Sequence, residues 1–222
     1  MEVRATFQRK LRELQGDLLA MGSMAARAIA QSIEALKRRD LELAQRTVDE
    51  DAGVNQKRFE LEEKCIKLIA TQQPMASDLR LIICMLSVIT ELERIADYGV
   101  GIARVVLMIG DEPPLKPLID IPRMADKTLD MLRRSLDAFI GHDDGAARRI
   151  CAEDDEIDHL YDQVFRELLT FMFEDPRTIT RATRLIWVAH NLERAGDRVT
   201  NICERVVYAV TGRMEEIGAS HY

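Results

Sequence analysis

Residues 81–106 read LIICMLSVITELERIADYGVGIARVV. Within them Ile82, Met85, Ile89, Leu92, Ala96, Gly99, Ala103 and Val106 recur at the three-and-four spacing that lines one face of an α-helix. A second stripe of the same period runs through Leu11, Leu14, Leu18, Met21, Ala25, Ala28, Ile29, Ser32 and Leu36. Long amphipathic helices therefore carry the fold.

Punctuation delimits them. Gln72-Gln73-Pro74, Pro113-Pro114 with Pro117, and Asp175-Pro176 interrupt the helical pattern, while Asp40 and His142-Asp143 mark tight joints. The expectation is an all-α chain of six helices, at about 4–39, 41–72, 76–110, 119–141, 143–173 and 177–212. The composition agrees. Only 5% of the 222 residues are aromatic, and 11 Gly with 6 Pro are too few turn signals for a β-sandwich.

The two halves repeat. An offset of 103 residues pairs Asp40 with Asp143, Ser32 with Ser135, Leu36 with Phe139, Asp51 with Asp154 and Val54 with Ile157. Beyond the second helix of each half the offset falls to 100, matching Leu92-Glu93-Arg94 with Leu192-Glu193-Arg194 and Asp97 with Asp197. Two three-helix bundles, residues 1–112 and 113–222, joined through the Pro-rich stretch 111–118, are the simplest plan.

Charge and cysteine content exclude several roles. A net charge of −7, with basic residues interspersed among acids, supplies no nucleic-acid footprint. The apolar run Leu81–Ile89 is too short to span a bilayer, and no apolar segment follows Met1-Glu2-Val3-Arg4 as a secretory signal would require. Cys65, Cys84, Cys151 and Cys203 show no CxxC pair and read as buried reduced thiols. A cytoplasmic protein is expected.

Acid pairs carry the candidate chemistry. Glu93/Asp97, Asp154/Asp158 and Glu193/Asp197 are each four apart, so each pair projects from one helix face. In an antiparallel hairpin, residues equidistant from the turn lie level. Asp154 and Asp197, like Asp158 and Glu193, are equidistant from the Asp175-Pro176 turn. Asp51 and Asn55 stand in the same relation to Asp97 and Glu93 about Pro74. Four level carboxylates repel one another unless a cation or several arginines intervene, and such oxygen-rich clusters suit Mg²⁺, Mn²⁺ or iron. Asn201 and Glu204 extend the face as further oxygen donors. Glu93 and Asp97 flank the apolar stripe, which fits either the rim of a helix–helix groove or plain solvent.

The segments Glu91-Leu92-Glu93-Arg94-Ile95-Ala96-Asp97 and Asn191-Leu192-Glu193-Arg194-Ala195-Gly196-Asp197 resemble the repeated signature of the PhoU family. So do Gln72-Gln73-Pro74-Met75-Ala76-Ser77-Asp78-Leu79-Arg80, Asn201-Ile202-Cys203-Glu204 and Thr211-Gly212. The resemblance implies a non-catalytic negative regulator of the phosphate-starvation response. It would be an adaptor, peripheral to membrane complexes, between the ATPase subunit of a phosphate ABC transporter and a sensor histidine kinase, and a homodimer. The alternative is an accessory subunit of another phosphate or ion permease without a kinase partner. Some members carry multinuclear metal on the repeated E(D)xxxD motif. That implies a metal set of Asp51, Glu93, Asp97, Asp154, Asp158, Glu193, Asp197, Asn201 and Glu204, holding iron, manganese, magnesium or zinc. Asn55 and Gly101 each replace a donor of the second half, which favours metal there. Asp78 and Arg80 are the implied partner contact, with helix capping as the alternative for Asp78.

Other features lead away from enzymes. The ExxH spacing of di-iron oxidases occurs once, at Glu156–His159, where those bundles need it twice. His142, His190 and His221 read as surface or joint residues, and Trp187 as core. No Gly-rich phosphate loop or nucleophile motif is present.

Overall fold

The computed structural model describes residues 2–217, and among these it is all helix and turn. Met1 and His221 lie outside the described residues. The elements are α1 (Glu2–Arg38), α2 (Leu41–Asp49), α3 (Asp51–Gln72), α4 (Ser77–Ile109), α5 (Asp120–Gly141), α6 (Asp144–Cys151), α7 (Asp154–Glu174) and α8 (Ile179–Thr211). A 3-10 turn, Pro176–Thr178, precedes α8. The six expected helical segments are present, and the second and fifth each step at an interruption. Glu50 divides α2 from α3, and Ala152-Glu153 divides α6 from α7. The residues at both steps keep right-handed torsions, with φ −70° and ψ −14° at Glu50, so neither Gly nor Pro is needed. Each step places an aspartate, Asp51 or Asp154, in the first turn of a new helix, where unpaired N–H groups favour a carboxylate.

The repeat is legible in local chemistry. Asp40 and Asp143 are matching N-caps, accepting from the Leu43 and Ala146 N–H groups at 2.8 Å in each case. Ser32 and Ser135, both fully buried, donate back to Ile29 and Leu132 carbonyls at 2.8 Å. Arg39 and His142, one residue before the two aspartate caps, both take the left-handed conformation, at φ 57° and 54°.

The halves share one continuous apolar core that runs from Leu11 and Leu18 through Ile82, Leu92 and Ile102 to Phe139, Leu168 and Val206. Helices α4 and α8 cross it antiparallel. The start of α4 meets the end of α8 where Arg80 donates to the Ala209 carbonyl at 3.1 Å. Midway, Asn201 donates to Glu91 at 3.3 Å, and Arg198 approaches the same carboxylate at 3.5 Å. At the far end Arg184 reaches Glu112 at 3.4 Å. The connecting stretch is clamped to the second half: Arg181 donates to the Pro113 carbonyl at 3.3 Å, and buried Lys116 pairs with Glu167 of α7. All four cysteines are buried and free. Trp187, expected in the core, is 48% exposed. It shares a helix face with Asn191, Arg194 and Arg198, which borders α4 rather than the interior.

Candidate functional site

Each hairpin, α3 with α4 and α7 with α8, brings its acids to one level. In the second half Asp154 and Asp158 of α7 stand against Glu193 and Asp197 of α8, and each perturbs its neighbours. Burial, then Asp158, Asp197 and Glu193, push the Asp154 carboxyl up to about 7. Burial, then Glu193 and Asp197, push Asp158 up to about 6. Asp197 is also raised, by burial and by Glu193, against the pull of Arg194, Arg198 and His190. Glu193 is only 4% exposed, and His190 Nδ1 lies 3.3 Å from it. Arg194 reaches Asp197 at 3.2 Å.

Asp154 owes its burial to Gly196. A side-chain carbon at Gly196 would lie 2.7 Å from Asp154 Oδ1 and 3.0 Å from Ile157, so only a glycine lets the first turn of α7 press against α8. The step before α7 is held by Arg134 of α5, whose guanidinium grips Glu153 at 2.8 and 2.5 Å, with Lys127 at 3.2 Å.

The first half repeats the plan with different charges. Glu93, 8% exposed, is raised by burial and then by Asp97, while Arg58 and Arg94 oppose the shift. Asp97 is raised by burial and then by Asp51. Arg58 of α3 places Nη1 3.0 Å from Glu93 Oε1, and Asn55 donates to Asp51 Oδ2 at 3.3 Å. The alternative left open for Glu93 and Asp97 is thereby resolved: Glu93 lines the helix–helix groove, and Asp97, with its side chain 42% exposed, stands at the rim.

Seven of the nine proposed metal ligands fall in these two clusters, and Asn201 and Glu204 do not extend them. Asn201 is turned to Glu91 on α4, and Glu204 accepts from the Ile217 N–H at 3.0 Å. The space opposite, at Gly101, is filled by Asn191, whose Oδ1 would lie 2.8 Å from an added side-chain carbon. Both pairs serve the α4–α8 crossing. Asp78 and Arg80 are likewise engaged within the chain. Asp78 pairs with Arg4, and Arg80 covers the last turn of α8 from 5.9 Å above the Tyr208 ring.

Sequence reasoning passed over Arg58 and Tyr161, and it read as a surface or joint residue His190, which stands 3.3 Å from Glu193. Tyr161 occupies in α7 the position of Arg58 in α3, and its ring centroid lies 6.1 Å from that of His190. The 103-residue offset that aligns Asp51 with Asp154 also aligns this pair and would have exposed the change of charge.

Among the described residues no three His, Cys, Asp or Glu side chains stand close enough together to hold a metal ion as placed. The donor sets nevertheless differ in kind. The second half offers oxygen ligands from both helices, Asp154 and Asp158 of α7 with Glu193 and Asp197 of α8, and this fits a hard cation. In the first half the facing helix α3 instead brings the Arg58 guanidinium to Glu93, 3.0 Å away, which does not fit one.

Fold and site define a class: a duplicated helical bundle with an acid cluster in each α-hairpin and no nucleophile motif in its sequence. The PhoU domain family matches residues 18–106 and again 121–206, and the chain belongs to that family. It is 37% identical over 215 residues to the phosphate-specific transport system accessory protein PhoU homolog of Clostridium acetobutylicum, covering 96% of this chain and 98% of that protein. It is 36% identical to the Escherichia coli phosphate-specific transport system accessory protein PhoU, covering 93% of this chain and 86% of that one. Among solved structures it superimposes on PhoU from Pseudomonas aeruginosa with a TM-score of 0.88 at 35% identity, covering 93% of this chain and all of that one. The Streptococcus pneumoniae phosphate transport system regulatory protein PhoU gives a TM-score of 0.87 at 31% identity, over 94% of this chain and 99% of that one.

Proposed function

We propose that this chain is a non-catalytic, cytoplasmic accessory protein of phosphate uptake. In this reading it represses the phosphate-starvation response by bridging the ATPase subunit of a phosphate ABC transporter and a sensor histidine kinase. The observation that carries it is similarity along almost the whole chain, both repeats included, to phosphate-specific transport accessory proteins. No helix among the described residues is long and apolar enough to cross a membrane, which suits peripheral association. Met75 and Phe173, at the turns of the two hairpins, are 80% and 84% exposed and supply apolar contact for partners. A bridge of this kind transmits state only if it binds two partner conformations with different affinity. Self-association as a homodimer belongs to the same reading.

Within it, Asp154, Asp158, Glu193 and Asp197 would hold a divalent cation. When bound, the cation would supply positive charge that relieves their repulsion and ties α7 to α8. The remaining work belongs to the chain itself: Arg134 and Gly196 fix where α7 begins, and His190 and Arg194 orient Glu193 and Asp197.

Deleting the gene tests the proposal. A starvation-promoter reporter in phosphate-replete medium should rise at least tenfold, and deleting the kinase as well should return it to the repressed level. Unchanged repression in the single deletion would overturn the regulatory role. Derepression independent of the kinase would overturn the bridge alone.

A further inference from the structure

The two acid clusters arise from one repeat, yet they meet their negative charge differently. In the first, each acid faces a nitrogen donor of the same chain. Asn55 donates to Asp51 at 3.3 Å, Arg58 to Glu93 at 3.0 Å, and Arg94 approaches Asp97 at 3.9 Å. Arg58 is itself seated on both sides, with Glu62 at 3.7 Å and the Phe59 ring 4.7 Å below its guanidinium. It is a fixed member of the groove rather than a passing surface charge, because the glutamate it meets is buried. In the second cluster the matching positions hold Asp158 in place of Asn55 and Tyr161 in place of Arg58. Glu193 and Asp197 do meet His190 and Arg194 of their own helix, at 3.3 and 3.2 Å, but α7 brings only acids and an uncharged phenol to face them.

We infer that Arg58 is the built-in cation of the first-half cluster, so that this cluster is closed to metal and divalent-cation binding is confined to the second half. A guanidinium 3.0 Å from Glu93 occupies the charge and space a metal would need. The Asn55 amide reinforces this, because it presents N–H groups to Asp51 where a ligand would present oxygen. This inference is independent of the regulatory proposal; it concerns only which half of the chain takes a cation.

The test uses the full chain and Mn²⁺ as the probe, with binding read by isothermal titration and by the electron-spin signal of free Mn²⁺. The background is the Asp154→Asn/Asp158→Asn double variant, which removes the second-half ligands. With Arg58 intact, this background should take up no Mn²⁺ through 1 mM metal, on the order of the weakest useful protein affinities for hard cations. Arg58→Tyr, alone or with Asn55→Asp to copy the second half, should then gain one site per chain, tighter than that limit by at least tenfold. Arg58→Lys, which keeps the charge, should stay silent. Circular dichroism identifies any variant that fails to fold, and Arg58→Met, which keeps contact with Phe59 without charge, then replaces Arg58→Tyr. Stoichiometric Mn²⁺ binding in the background with Arg58 intact would overturn the inference. So would folded Arg58→Tyr and Arg58→Met proteins that gain none.

Discussion

An aspartate that titrates near pH 7 in the folded chain holds a proton that the unfolded chain has already released. Asp154 is such a group, raised from 3.8 to about 7 by burial and by Asp158, Asp197 and Glu193. Between about pH 4 and pH 7 the folded state therefore binds more protons, and stability falls as pH rises through that interval. Asp158, at about 6, acts in the same direction, while His190, Arg194 and Arg198 on α8 offset part of the charge. Without metal, the urea midpoint should be higher at pH 5.5 than at pH 8. Asp154→Asn should raise the unfolding free energy at pH 8 by about 1 kcal/mol or more, read as a higher midpoint, and its own pH dependence should be flatter. A lower midpoint for Asp154→Asn at pH 8 would refute the repulsion argument. The acid pairs were legible because helical spacing and distance from a turn are properties of sequence position. Their burial was not, since it depends on Gly196 and on helices far along the chain. That Arg58 meets Glu93 was not legible either, because it depends on the burial of that glutamate in the groove and not on residue spacing.

At the scale of elements, the ends of α4 and α8 fasten each other. Gly212 ends α8 at φ +74°, and a side-chain carbon there would lie 2.4 Å from Arg80 Nη1. Arg80 in turn meets one of the last carbonyls of α8, which have no partner within the helix. Arg80→Ala should cost about 1–3 kcal/mol, as loss of a charged hydrogen bond does, with an unchanged denaturant slope. Gly212→Ala should cost at least about 1 kcal/mol from the left-handed backbone alone. The two losses should add to less than their sum in the double variant, because removing Arg80 removes the clash. Full additivity would show that the contact carries no energy. The sequence announces where these helices start and stop through Asp40, Asp143, Pro74 and Pro176. It is silent on the steps at Glu50 and Ala152, where residues with ordinary torsions turn the chain without a Gly or Pro.

Over the whole molecule, the repeat is a unit of sequence more than a unit of stability. Buried Ile82, Leu92, Ile102, Leu192 and Val206 belong to one core spanning both halves. Residues 1–112 expressed alone would expose the face of α4 that α8 covers, and residues 113–222 the converse. Each fragment should be aggregated or molten by gel filtration and near-ultraviolet circular dichroism, and mixing them should restore native signal. A monomeric, cooperatively unfolding fragment would contradict this. The doubled plan itself could be read from the matched motifs, but how closely the halves are joined could not. The contacts that join them, Glu91 with Asn201 and Arg80 with Ala209, lie 110 and 129 residues apart.

Carrying both hairpins on one polypeptide also has a genetic consequence. Were the same bundle assembled from two copies of a half-length gene, one codon would set the residue at the position of Arg58 and at that of Tyr161 together. Both clusters would then close, or both stay open. Because a single reading frame encodes the two positions separately, α3 can bring a guanidinium to the glutamate of its facing helix while α7 brings a phenol to the same place.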